Sequence, residues 1–312
     1  MTSPLHTTLS SIQGLIVRSD EPMSAHTTYG IGGETRLFLE VNTRGALAEA
    51  LEAMERSETP YLVLGNGSNV LFSDQLYRGA VIHLGEDFGE ARLTRGGETD
   101  GSHLLEVGAA LSITRLLRVA KDEHISGVEF LGGVPGTIGG AVRMNAGTVM
   151  GEVSDTLVSA ACICPGQPER WIPAAELGLS YRNSALPAGA VVTGARFRCM
   201  DADASMRERL DKVLSYRKQT QPLQAASCGS VFANPPGDHA GRLIETCGLK
   251  GQRIGGAQIS EIHANWIINE GDARASDVRD LINLCVSEVE RQHGVTLRHE
   301  VQLLGEWAGG GS

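Results

Sequence analysis

Two glycine clusters narrow most sharply what this chain can fold into. The first, Gly65-Asn66-Gly67-Ser68-Asn69, follows directly on the apolar run Tyr61–Leu64. The second, Gly132-Gly133-Val134-Pro135-Gly136-Thr137-Ile138-Gly139-Gly140, leads into Met144-Asn145-Ala146-Gly147. Glycine reaches backbone angles closed to other residues and leaves the main chain uncovered. Such clusters therefore mark tight turns and close packing, or main chain brought against a ligand. The excess is general, since 39 of 312 residues are glycine where about 7% is usual. It has no repeat period and comes with 11 Pro, which excludes a collagen-like chain.

The apolar pattern around these clusters is that of mixed helix and strand. Leu37–Val41 and Tyr61–Leu64 read as strands flanking a helix over Thr43–Arg56, whose Leu47, Leu51 and Met54 recur at helical spacing. This is a βαβ signature. Val81–Leu84, Leu104–Val107 and Val191–Phe197 read as further strands, and Ser112–Glu123 as a helix with Ile113, Leu116, Leu117 and Ala120 inward. The polar stretch Asp201–Arg207 marks a domain boundary, after which Arg207–Lys218 is predicted helical. Ala275–Gln292 carries the strongest helical stripe, Val278, Leu281, Ile282, Cys285 and Val289, with Gly294 as its stop. Thr296–Leu304 alternates as a strand, with Leu297, Val301 and Leu303 on one face and Arg298 and Glu300 on the other. Gly309–Ser312 has no side chain to pack and is expected to be a tail.

Charge and cysteine usage remove several classes of function. The net charge of −10 opposes binding to polyanions, so no nucleic-acid partner is expected. No run approaches the ~18 apolar residues of a membrane span, and Met1–Asp20 lacks a basic region followed by an apolar one. A cytoplasmic protein is expected. The six cysteines are scattered without a C-x-x-C pair, the pattern of reduced and mostly buried thiols. The nine histidines show no ligand spacing, so no metal is expected.

Read alone, each motif keeps two meanings. Gly65–Asn69 is an ordinary turn or a nest of N–H groups for a pyrophosphate. It is neither G-x-G-x-x-G nor a Walker loop. The second cluster suits close strand–helix packing or a flat cofactor lying on bare main chain, with Thr137 capping a short helix. Ser227-Cys228-Gly229-Ser230 is a turn, and it lacks the G-x-S-x-G frame of a hydrolase. Arg298 with Glu300 is a solvated strand face, and Tyr181-Arg182 a strand-edge pair, unless a site claims them.

Taken in order, these segments closely resemble the UDP-N-acetylenolpyruvoylglucosamine reductase (MurB) family of flavoenzymes. The resemblance runs from Thr28-Tyr29-Gly30 through Gly65–Asn69, Gly127-Val128-Glu129-Phe130-Leu131, Pro135–Gly147 and Tyr181-Arg182-Asn183-Ser184. It continues through Gly229-Ser230-Val231-Phe232, Asn234-Pro235, Gly248-Leu249-Lys250-Gly251, His263-Ala264-Asn265 and Glu300-Val301. It implies an α+β protein with a two-subdomain FAD-binding module of the vanillyl-alcohol-oxidase type, over 1–84 and 85–200. A substrate-binding domain over 201–305 and a tail over 306–312 would follow. It implies non-covalent FAD, NADPH as co-substrate and a UDP-sugar substrate, in the reduction of an enolpyruvyl ether to UDP-N-acetylmuramate for peptidoglycan.

By the same resemblance, Arg182, Ser230 and Glu300 are the catalytic positions. Gly65, Asn66, Gly67, Ser68 and Asn69 would hold the pyrophosphate; Gly133, Pro135, Gly136, Thr137, Gly139, Gly140 and Asn145 would line the flavin. Asn234, Lys250, His263 and Asn265 would meet substrate. Within this assignment Glu300 beside a substrate carboxylate is protonated, or it orients a water or Arg182. The chain departs from the family pattern at Asn66 (commonly glycine), Val149 (often tyrosine), Ala233 (commonly lysine) and His299 (frequently proline). Asn66 is expected to take left-handed angles in place of the glycine. Two other classes fit the glycine loops: a different FAD-dependent oxidoreductase of the same superfamily, and a sugar-nucleotide-binding protein without flavin.

Overall fold

The structure is a computed structural model and describes residues 4–96, 101–202 and 204–307. Most of the expected tail, from residue 308 onward, lies outside the described residues. The protein is α+β and divides into two compact units. The first comprises 1–18, 37–65 and 79–215, the second 19–36, 66–78 and 216–312. Compactness thus departs from a simple linear succession of domains: two segments from the first 84 residues belong with the C-terminal third.

In the first unit, helix Arg44–Arg56 begins at Thr43, whose side chain accepts from the Ala46 N–H. It buries Leu47, Leu51 and Met54, the residues its periodicity singles out. Strand Tyr61–Val63 that follows is parallel to residues 80–82 of strand Tyr77–Leu84. In the sheet order, Tyr77–Leu84 lies between Glu34–Val41 and Tyr61–Val63, so the βαβ unit seen in the sequence has a third strand inserted in it. A second sheet runs Arg170–Pro173, Leu157–Ile163, Val191–Asp201, Ser102–Gly108, Ala91–Arg95, all antiparallel. Helix Ile113–Asp122 starts at Ser112, which caps it through the Arg115 N–H. Helix Ala204–Thr220, within which the first unit's last segment ends at Ser215, buries none of its side chains.

The second unit has its own core, in which Tyr29, Ile31 and Leu71 join Val231, Phe232, Leu243, Ile244 and the stripe of the long C-terminal helix. That helix, Ala275–His293, buries Val278, Leu281, Ile282, Cys285 and Val289 and stops at Gly294 with φ +65°, as the sequence pattern requires. Each fully buried aliphatic side chain contributes about 1.5–3 kcal/mol. The Asp74 carboxylate accepts from the N–H groups of Ala275 and Ser276 at 2.9 and 3.1 Å, capping the helix from a distant part of the chain. The strand expected over Thr296–Leu304 is shorter, spanning Gln302–Leu304 and paired in parallel with Val70–Phe72. Upstream of it only His299 forms an isolated antiparallel bridge, to Phe232. Leu297 and Val301 are nevertheless buried and Arg298 exposed, as the alternation demands.

All six cysteines are free thiols, five buried and Cys247 partly so. Among the described residues no helix is long and apolar enough to cross a membrane.

Candidate active site

The first unit holds Gly65, the Gly133–Gly140 cluster, Asn145 and Arg182. Gly65 and Thr137, far apart in sequence, meet: a Cβ at position 65 would stand 2.5 Å from the Thr137 Oγ1. This contact corrects one expectation. Thr137 precedes helix Ile138–Arg143 but does not cap it with its side chain, because the hydroxyl is turned against Gly65. The glycines of the cluster divide by task. Gly133 and Gly136 take φ of +75° and +130°. Gly139 packs on Ala109, with 2.8 Å from its N–H to the Ala109 carbonyl and 3.1 Å from a Cβ at 139 to that of Ala109. Gly140 is exposed, and a Cβ there would have only the Thr137 Oγ1 near it, at 3.8 Å. Within the cluster Gly139 is closely packed, while Gly133, Pro135 and Gly140 are exposed.

Arg182 sits on a tight turn. Ser180 and Asn183 exchange two main-chain hydrogen bonds of 3.0 Å, and Arg182 between them has φ +56°. A long side chain in the left-handed region is held there only by its surroundings. Those surroundings are visible. Asn145, fully buried and itself at φ +40°, donates through Nδ2 to the Ser180 carbonyl at 3.2 Å and accepts from the Ser154 N–H at 2.9 Å. Ser184 Oγ donates to the Arg143 carbonyl at 2.8 Å, and Arg143 Nη1 donates to the Ser184 carbonyl at 2.9 Å. Arg182 Nη2 in turn donates to the Gly147 carbonyl at 3.2 Å, and its guanidinium stands 5.0 Å from the centre of the Tyr181 ring. The Asn145 amide is thus engaged in shaping the Arg182 turn. Arg143 and Ser154, which complete that support, carry no signal in the sequence.

The second unit holds Asn66–Asn69, Ser230, Glu300 and the four expected substrate residues. The left-handed residue of the loop is Gly67, at φ +61°, whereas Asn66 is not among the non-glycine residues at positive φ. The expected reason for tolerating Asn66 is therefore replaced by a simpler one: it is exposed, and the demanding angle belongs to its neighbour. The Thr28 N–H donates to the Gly67 carbonyl at 3.1 Å, and the Thr28 hydroxyl donates to the Ser227 carbonyl at 2.7 Å. Asn69 Nδ2 donates to the Glu300 carbonyl at 3.2 Å, and the Asn69 carbonyl accepts from the Gln302 N–H at 3.0 Å. Glu300 donates its N–H to the Val231 carbonyl at 2.7 Å. Ser230, exposed and preceded by Gly229 at φ +80°, leads into that paired stretch. Glycine loop residue Asn69, the serine segment and the glutamate are in this way joined within one unit.

The other polar residues have protein partners as well. Asn234 Oδ1 accepts from the Ala240 N–H at 3.0 Å, at the start of helix Ala240–Thr246. Lys250 pairs with Glu245 at 2.8 Å. Burial, helped by the Lys250 charge, lowers the His263 pKa below the ordinary 6.5. The thiol of Cys228, two residues from Ser230, is pushed by burial up to about 12 and is an inert packing group.

Comparison with known proteins adds the following. Residues 221–304 match the family described as UDP-N-acetylenolpyruvoylglucosamine reductase, C-terminal domain, and residues 35–166 match the FAD binding domain family. The chain is 41% identical over 297 residues to the UDP-N-acetylenolpyruvoylglucosamine reductase of Anaeromyxobacter sp. (strain Fw109-5), covering 95% of this chain and 91% of that protein. It is 40% identical to that of Myxococcus xanthus (strain DK1622), covering 96% of each. The crystal structure of UDP-N-acetylenolpyruvylglucosamine reductase (MurB) from Thermus caldophilus superposes with a TM-score of 0.78 at 36% identity, over 93% of this chain and 99% of that one.

Proposed function

The chain belongs to the family of UDP-N-acetylenolpyruvoylglucosamine reductases, and from that membership we infer that it is an FAD-dependent oxidoreductase. It reduces the enolpyruvyl group of UDP-N-acetylglucosamine enolpyruvate to UDP-N-acetylmuramate, with NADPH as electron donor, in peptidoglycan precursor synthesis. The observation that carries this reading is likeness at about 40% identity along almost the whole length of both partners. A cytoplasmic site of action and a soluble UDP-sugar substrate complete it.

The residues fit FAD. Gly133 and Gly140 are exposed, and Gly65 packs closely on Thr137, whose Oγ1 would stand 2.5 Å from a Cβ at position 65. Gly65–Asn69 would hold the pyrophosphate, and Gly133, Pro135, Gly136, Thr137, Gly139 and Gly140 the flavin, with Asn145 supporting the turn that carries Arg182. Bound FAD supplies storage of a hydride equivalent between NADPH and substrate. The functional division follows as FAD-binding subdomains over 1–84 and 85–200 and a substrate domain over 201–305.

What the chain's own side chains must supply is set by the substrate. An enol ether is electron-rich and accepts hydride at C3 only if the charge arriving at C2 is delocalised into the adjacent carboxylate. The Arg182 guanidinium stabilises that enolate-like dianion. Ser230 gives its hydroxyl proton to C2, completing the saturated ether. Glu300, whose main chain is bonded to both Val231 and Asn69, is in this reading protonated, or it orients a water or Arg182. Asn234, Lys250 and His263 are the substrate contacts in this reading.

Ser230→Ala tests it. In stopped-flow absorbance NADPH should still bleach the flavin at the wild-type rate, while the enolpyruvyl sugar nucleotide should no longer reoxidise it at a useful rate. Reoxidation at near wild-type rate removes Ser230 as the proton donor, and a wild-type protein that NADPH does not bleach removes the activity itself.

A further inference from the structure

We propose that Asn265 is a positioning residue of this reaction, fixing the Ser230 hydroxyl by standing in for an absent neighbouring β-strand. The inference rests on the reading of the preceding subsection and changes the expected part of Asn265 in it, from substrate contact to support.

Asn265 is 4% exposed. Its Oδ1 accepts from the Phe232 N–H at 2.9 Å, its Nδ2 donates to the Phe232 carbonyl at 2.8 Å, and its own carbonyl accepts from the Val231 N–H at 2.9 Å. An amide that pairs with both polar groups of one residue reproduces what an adjacent strand would offer there. On the other edge the same stretch pairs with residues 298–300: Glu300 N–H to Val231 carbonyl at 2.7 Å, and Ala233 N–H to Arg298 carbonyl at 2.9 Å. Residues 231–232 are therefore gripped from two sides, as in the middle of a sheet, although only an isolated bridge marks the pairing.

Ser230 gains its definition from this grip. On its N-terminal side stands Gly229, with φ +80° and nothing within 4 Å of its Cβ site, so this immediate neighbour adds no side-chain packing of its own. On its C-terminal side Val231 is 0% exposed and bonded at both its N–H and its carbonyl. A proton donor must stay within a fraction of an ångström of its working position, and a displacement of about 1 Å costs on the order of 10²-fold in rate. The Asn265 amide is itself spent on main chain, which is why it is tolerated in a buried position.

Substrate contact and positioning give different kinetics. In Asn265→Ala both side-chain bonds to Phe232 vanish; in Asn265→Asp the volume and the acceptor for the Phe232 N–H remain and the donor to its carbonyl is lost. For both we expect kcat to fall by about tenfold to 10²-fold, with KM for the enolpyruvyl substrate within about threefold of wild type and flavin bleaching by NADPH unaltered. A KM that rises while kcat holds, or bleaching slowed as much as reoxidation, overturns the proposal. The wild-type enzyme gives an independent reading by hydrogen exchange with mass spectrometry: the amides of Val231 and Phe232 should exchange slowly, and exchange at the rate of an open loop overturns it. Wild-type protein that does not reduce the enolpyruvyl substrate removes the preceding reading and this inference together. Active wild type with an unimpaired Asn265→Ala variant removes this inference alone.

Discussion

Replacing Gly67 by alanine separates two costs that glycine loops usually confound. The residue has φ +61°, and a Cβ there would lie 2.1 Å from the His26 carbonyl oxygen and 2.7 Å from the Thr27 Cα. The left-handed angle alone costs about 1–2 kcal/mol for an L-residue. The clash is with main chain, which has no rotamer to give way, and forced repacking of this kind costs about 1–3 kcal/mol. Displacement would also strain the Thr28 N–H bond to the Gly67 carbonyl at 3.1 Å, whose net worth is about 0.5–1.5 kcal/mol. The expected loss is about 2.5–6.5 kcal/mol from these three contributions. Gly237 supplies the control, for it has φ +78° in the same unit with nothing within 4 Å of its Cβ site, so Gly237→Ala should lose only the angular part. Guanidinium unfolding of both variants measures the difference, and fluorescence titration with FAD reports whether the loop lost affinity in parallel. A Gly67→Ala protein within about 1 kcal/mol of Gly237→Ala would refute the steric account, since the angle would then explain everything.

Other expectations follow from single contacts. Asp74→Ala removes the acceptor of two N–H groups at the start of helix Ala275–His293 and should cost about 1 kcal/mol by chemical denaturation. His263 has its pKa lowered by burial and by Lys250, so the unfolded chain binds the proton more tightly; stability should fall as pH drops below 6.5, and unfolding curves of His263→Gln across that range should show the slope reduced. Thiol alkylation of the native protein at mild alkaline pH should reach Cys247 first, because Cys162, Cys199, Cys228 and Cys285 are buried and pushed up to about 12.

Local features of this fold are readable from the sequence because local physics decides them. The stripe of helix Ala275–His293, its glycine stop, and the inward residues of the helix beginning at Arg44 depend on residues within a few positions. The same holds for the thiols, whose scatter excluded a disulfide scaffold. What escaped depends on partners far away in the chain. Nothing near Thr137 announces that its hydroxyl turns to Gly65 and leaves the helix uncapped, and nothing near Asp74 that it caps residues 275 and 276. The left-handed angles of Asn145 and Arg182 are imposed by a network that joins residues 143, 145, 154, 180 and 184. The candidate site was legible as residue types in order, through the family resemblance. Which of them offer a free group and which are spent on their own main chain, as with Asn145 and Asn265, required coordinates.

The discontinuity of the second unit bears on how the chain is made. Tyr29, Ile31 and Leu71 leave the ribosome early, yet the apolar residues they pack with, from Val231 to Val301, are synthesised last. During translation these early side chains have no native burial until the final third emerges, so a nascent chain stalled near residue 215 holds them exposed and is a natural client for a chaperone.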